Sequence, residues 1–207
     1  MSKRGRLRKV DVSEGVSGPW RVERFTVDAK GAEMDASRAA ISAFQGRPYT
    51  PVSVGTYTRL KHGHTIVMSD TEGEMEDHEE AVRRAEGAVL IAGLGLGMVL
   101  QAVLDKPDVD HVTVIEKSED VMRLVGPHYM DRYPGRFELI QADIFTWKPP
   151  EAAWAWDVAW FDVWNTRNPD NLKEFTKLRR RFGRRCAWMG FWADMAIRRV
   201  ARRYQAH

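Results

Sequence analysis

Three glycines at alternate positions, Gly93, Gly95 and Gly97, interrupt an otherwise apolar stretch between Ala88 and Leu104. Glycine lets a ligand reach the main chain without meeting a Cβ, and amides at the start of a helix favour a negative or polar group. Downstream, three apolar runs each close on or just before an acid: Glu116, Asp143 and Asp162. Glu116 stands about 20 residues past the glycines, the spacing at which a carboxylate can accept both ribose hydroxyls of a nucleoside. A carboxylate such as Asp162 can accept a proton from an attacking N–H or O–H group, or anchor a cation. Upstream lies an acid-rich run, residues 69–80, that carries Glu74 and the pair His78-Glu79.

The elements that position these groups follow from periodicity. Residues 88–92 are an unbroken aliphatic run bounded by glycine, which predicts a strand buried on both faces; residues 98–104 have apolar positions at helical spacing. The glycines therefore occupy a strand-to-helix turn. Further strands are expected over 111–116, 137–141, 156–162 and 185–191, with helices starting at Ser118 and ending near Gly126-Pro127, over 172–182 and over 192–204. Before the glycines, residues 20–27 alternate with period two. An alanine-rich helix is expected over 32–44, with Met34, Ile41 and Phe44 available for packing. Residues 52–60 and 65–68 flank Lys61-His62-Gly63-His64 as a hairpin. His62 and His64 have no recognisable third ligand and read as a turn, not a metal site.

Two nucleotide-binding signatures are set aside by spacing. The dinucleotide fingerprint requires its third glycine where Met98 stands, and the phosphate loop of nucleotide hydrolases requires a lysine that does not follow Gly97. The order of glycine turn, Glu116, Asp143-Ile144 and Asp162 resembles the class I S-adenosylmethionine-dependent methyltransferases over residues 88–191. The hairpin, acidic segment and His78-Glu79 ahead of it are similar to the spermidine synthase group within that superfamily. That resemblance implies a Rossmann-like, mostly parallel sheet preceded by a small mixed α/β extension, and S-adenosylmethionine as cofactor. It places Gly93, Leu94, Gly95 and Gly97 along the methionine part, Glu116 with Lys117 at the ribose, and Asp143 with Ile144 at the adenine. Asp162, Glu74 and His78 are its catalytic candidates. The group's glutamine at the head of the acidic segment is Met68 here, and its tyrosine before His-Glu is Asp77. The Asn/Asp-Pro-Pro-aromatic signature of adenine amino-methylating enzymes is absent, its place taken by Asp162-Val163-Trp164-Asn165. The last two strands usual in the superfamily have no candidates, which leaves the hairpin or a second copy in a homo-oligomer to cover the sheet edge.

The implied activity is methyl transfer to an unidentified acceptor. Aminopropyl transfer, and a non-catalytic nucleic-acid-binding or partner-binding role, stay open as alternatives. The chain has 207 residues, 43% hydrophobic and 29% charged, with a net charge of +3. This composition is that of a globular protein, and no apolar run is long enough to span a bilayer. The single Cys186 permits no internal disulfide, and with no signal-peptide pattern a cytoplasmic location is expected. Base collects between Arg179 and Arg203, a region suited to nucleic acid or simply to a solvated helix face. Most of the eight tryptophans, Trp154, Trp156 and Trp160 included, read as packing residues, and Trp164 as a residue at the mouth of a pocket. The expected organisation is a flexible basic arm over 1–18, an α/β extension with a hairpin over 19–80 and a nucleoside-binding domain over 81–207.

Overall fold

The computed structural model describes residues 5–46, 48–149 and 156–205, so Trp154 lies outside the described residues. The chain opens with an antiparallel sheet. Strands β1 (Gly15–Ser17) and β2 (Trp20–Val27) precede helix α1 (Ala29–Phe44), and β3 (Gly55–His62) and β4 (Thr65–Ser69) follow it; the sheet order is β1-β2-β3-β4. Gly63 takes φ +58° in the β3–β4 turn, a conformation that favours glycine, and His62 packs edge-on against Trp20. Asp28 caps α1 by accepting the Gly31 N–H at 2.7 Å, which starts the helix three residues before its apolar pattern does.

Helix α2 (Glu72–Arg84) leads into the second sheet, made of β5 (Gly87–Ala92), β6 (Val109–Glu116), β7 (Phe137–Gln141), β8 (Trp156–Phe161) and β9 (Cys186–Phe191). All neighbours are parallel, in the order β7-β6-β5-β8-β9. Side-chain alternation explains why helices cover both faces. On β5, Val89 and Ile91 join a core built with α2, α3 (Met98–Leu104) and α4 (Glu119–Arg132), whereas Leu90 and Ala92 join one built with α5 (Asn171–Phe182) and α6 (Asp194–Gln205). The result is a Rossmann-like doubly wound α/β fold with a small antiparallel extension. From β5 the chain steps to β6 and β7 on one side, then returns to place β8 on the other. The carboxyl ends of β5 and β8 therefore flank the switch point where such sheets bind ligands.

Four expectations are corrected. The arm over 1–18 is packed from Val10 onward: Val10 and Val12 are buried, Asp70 accepts the Val10 N–H at 3.0 Å, and residues 15–17 form β1. Met34, Ile41 and Phe44 do not pack. They are exposed, Phe44 at 95%, and Ala39 alone on α1 is buried. Helix α4 continues through Pro127 to Arg132. The proline removes one helical hydrogen bond, but the turn beyond it is fixed by fully buried Tyr129, whose hydroxyl donates to Leu96 O at 2.8 Å. Finally, the antiparallel sheet does not pair with the edge of the parallel one but lies against α4 through β1 and β2. Among the described residues no helix is long and apolar enough to cross a membrane.

Candidate functional site

A cavity of about 440 Å³ opens at the switch point. Its floor is Gly93 and Gly95 after β5, Glu116 and Lys117 at the end of β6, Asp143 and Ile144 beyond β7, and Asp162 after β8. Glu74 of α2 closes one side. Trp20, Leu60, Val67 and Met68 of the antiparallel sheet form an apolar roof, and Trp164 and Trp192 complete the lining. This size and this mix of apolar wall with a few polar groups suit a small organic ligand.

The glycines are required by the turn itself. All three have positive φ (+97°, +52° and +74°), and a Cβ would strike Asp162 O at Gly93, Met68 Sδ at Gly95 and the Tyr129 ring at Gly97. The amides expected to be bare are mostly occupied. Gly93 N–H donates to Ile115 O (2.9 Å), Leu94 N–H to Glu116 Oε2 (2.8 Å), Leu96 N–H to Met68 Sδ (3.0 Å) and Gly97 N–H to Leu94 O (2.8 Å). Leu94 points into the core and Gly97 backs onto Tyr129, so neither lines the cavity.

Glu116 is 9% exposed, and each of its oxygens accepts one backbone N–H, from Leu94 and from Ser118 (2.7 Å). A carboxylate oxygen has two lone-pair directions, so acceptor capacity remains toward the cavity. Asp143 accepts from Lys117 Nζ at 2.8 Å and from the Phe145 N–H at 2.9 Å. The Lys117 hydrogen bond holds its carboxyl below the usual carboxylate range. Ile144 is 3% exposed and presents an apolar surface beside it. Arg181, one of the basic cluster, turns inward and donates to the carbonyls of Ile144 (3.2 Å), Phe145 and Trp147, which fixes this loop.

The opposite end of the cavity is built differently. Asp162 is half-buried, and burial, reinforced by the charges of Glu74, Asp77 and Glu116, raises its carboxyl well above the ordinary range. Burial and the neighbouring Asp77 push Glu74 up to about 7, against the pull of Arg167, which is ion-paired to Asp77. His78 is fully buried and does not line the cavity. Its Nε2 lies 3.6 Å from Asp162 Oδ2, neither ring nitrogen has a hydrogen-bond partner among the described residues, and burial pushes the imidazolium down to about 4. The fold thus brings Glu74, His78 and Asp162 together, with His78 behind Asp162 and not on the cavity wall.

Sequence reasoning missed Trp20, Leu60, Val67 and Trp192. No local pattern marks them, because they reach the site through docking of the antiparallel sheet and through the β9–α6 junction, where Ala193 takes φ +56°. Trp156 and Trp160 are core residues as expected, and Trp164 lines the cavity against Phe175, its Nε1–H donating to Glu174 Oε2 at 2.5 Å. In the basic region Arg179 and Arg198 pair with Asp194, while Lys177, Arg180, Arg184, Arg199 and Arg202 are exposed.

No family model and no curated protein matches the chain. Among solved structures it is similar to a dimethyladenosine transferase from Plasmodium falciparum at 18% identity and TM-score 0.35, over 42% of this chain and 30% of that one. It is also similar to the 23S rRNA methyltransferase ErmE at 19% identity and TM-score 0.38, over 50% and 38% of the two chains. Coclaurine N-methyltransferase, bound to N-methylheliamine and SAH, matches at 20% identity and TM-score 0.37, over 50% and 30%. The match thus spans well under half the length of each of these three proteins, and likenesses this partial say nothing of reaction or acceptor.

Proposed function

We propose that the cavity binds S-adenosylmethionine and that the chain transfers a methyl group from it to an acceptor entering past Trp164 and Trp192. The observation that carries this reading is that one cavity joins Asp143-Ile144, Glu116, the glycine turn and Asp162 in the order of their strands. Base, sugar, 5′ tail and acceptor then lie in sequence from β7 to β8. The adenine would rest against Ile144 beside the Asp143 carboxylate. The ribose hydroxyls would donate to the free lone pairs of Glu116. When bound, the sulfonium supplies an electrophilic methyl carbon.

What the chain must add is alignment and removal of a proton late in the transfer. Asp162 reaches the cavity at the acceptor end and is the proton acceptor. Its raised carboxyl pKa makes it a stronger base than an ordinary aspartate once ionised. His78 acts through Asp162 as a positioning residue, since it touches no part of the cavity. Two carboxyls at this end favour an acceptor that arrives as an ammonium and attacks as an amine. Glu74 beside Asp162 also favours the second reading, aminopropyl transfer as in the spermidine synthase group.

Mass spectrometry of small molecules released from the purified protein tests the first step. An adenosyl nucleoside should be found with the wild-type chain and be absent from Glu116→Ala. A chain that carries none and takes up none at saturating concentration contradicts the reading. The mass added to an amine acceptor separates methyl from aminopropyl transfer.

A further inference from the structure

Val67 and Met68 are consecutive on β4, yet both line the cavity roof. A regular strand sends neighbouring side chains to opposite faces. Here the β3–β4 ladder shifts register: Leu60 pairs with Met68 and Lys61 with Ile66, so Val67 is the extra residue of a bulge. The bulge re-aims Val67 onto the cavity face, while Met68 shares that face with its pair Leu60 and lies over the glycine turn. Its sulfur accepts the Leu96 N–H at 3.0 Å and stands where a Cβ on Gly95 would fall, 2.3 Å away. In the strand order, this is the ground between Glu116 and Asp162 that the 5′ tail of a bound nucleoside must cross.

We propose, on the nucleoside reading above, that Met68 selects the 5′ tail: short-tailed adenosine thioethers bind with the methionine in place, and a full amino-acid tail binds only by displacing it. A thioether is a weak acceptor and a carboxylate a strong, charge-assisted one, so the tail's carboxylate can take over the Leu96 amide that Met68 holds. An unbranched, adaptable side chain suits such an exchange. Its ammonium then faces Glu74 and Asp162.

Calorimetric titration of the full chain with S-adenosylhomocysteine and, separately, with 5′-methylthioadenosine tests the exchange. In Met68→Ala, S-adenosylhomocysteine should bind about tenfold more tightly because nothing has to be displaced, while methylthioadenosine should change by less than about twofold. Met68→Leu keeps apolar bulk without the sulfur acceptor and should move the ratio in the same direction by a smaller factor, which preserves the test if the alanine variant does not fold. An unchanged ratio between the two ligands, or a weaker S-adenosylhomocysteine complex in either variant, overturns the role of Met68. A wild-type chain that binds neither compound overturns the nucleoside reading itself.

Discussion

Asp143 and Asp162 both follow parallel strands of one sheet and line one cavity, but they differ in what donates to them. Asp143 takes a lysine ammonium and a backbone N–H and is held ionised. Asp162 faces Glu74, Asp77 and Glu116, with an unprotonated, fully buried histidine at 3.6 Å, and its carboxyl is held toward the protonated form. Place in the fold sets which acids reach the cavity; the supply of donors sets the protonation state each one favours. One end of the site is thereby satisfied in advance and the other is left with unmet electrostatic demand, which the proposed function reads as a binding half and a reacting half.

Neutralising the two acids one at a time should have opposite effects. Asp162→Asn should lower the rate of group transfer by about a hundredfold or more while leaving nucleoside affinity within about threefold, as single-turnover and equilibrium measurements would show. Asp143→Asn should reverse the pattern, with weaker nucleoside binding and a smaller loss of rate at saturation. Equal losses in both variants would erase the distinction.

Next in size is a contrast within the glycine turn. Gly97→Ala would drive a Cβ to 2.1 Å from the buried Tyr129 ring at φ +74°, and should cost about 3 kcal/mol or more in denaturant unfolding. Gly95→Ala meets only the flexible end of Met68, so its cost should be nearer about 1 kcal/mol, from its positive φ.

His78 gives a comparable effect on the acid side. Its imidazolium is pushed down from 6.5 to about 4, so its contribution to stability is complete above pH 6.5 and is lost as pH falls toward 4. The wild-type chain should therefore lose about 3 kcal/mol more than His78→Leu over that interval. Equal losses would mean that His78 is not buried as described.

The smallest effect should come from Glu74→Gln. The Glu74 charge raises the Asp162 carboxyl, so its removal should move the rising limb of the pH–rate profile to lower pH. A shift to higher pH would contradict the field that Glu74 and Asp162 share.

Much of the parallel sheet was legible because its signals are local. The apolar runs of β5 and β8, the glycines just after β5 and the acids that close β6 and follow β7 and β8 can each be read within a short stretch of chain. What was not legible depends on distant partners. Residues 10–17 carry only three small apolar residues, Val10, Val12 and Val16, and are held by Asp70, which accepts the N–H groups of both Val10 and Thr58. Met34, Ile41 and Phe44 have the spacing of a core-facing stripe, but nothing in that spacing says whether a partner surface is present. Pro127 reads as a helix stop until Tyr129 is seen to anchor the next turn. At the site, the acids were readable from strand ends, whereas the sulfur on the glycine turn was not. Met68 gets there because another sheet docks over the turn with its Leu60–Met68 pair facing the cavity, which no local alternation pattern foretells.

On the proposed function, Glu116 holds the sugar of an adenosyl nucleoside at the end of β6. Titration of S-adenosylhomocysteine into the wild-type chain and into Glu116→Ala, followed by calorimetry, tests it most directly. Saturable one-to-one binding, weakened at least about tenfold in the variant, is the predicted result. Equal affinity in both chains, or no heat and no competition by any adenosyl nucleoside in the wild type, would contradict it.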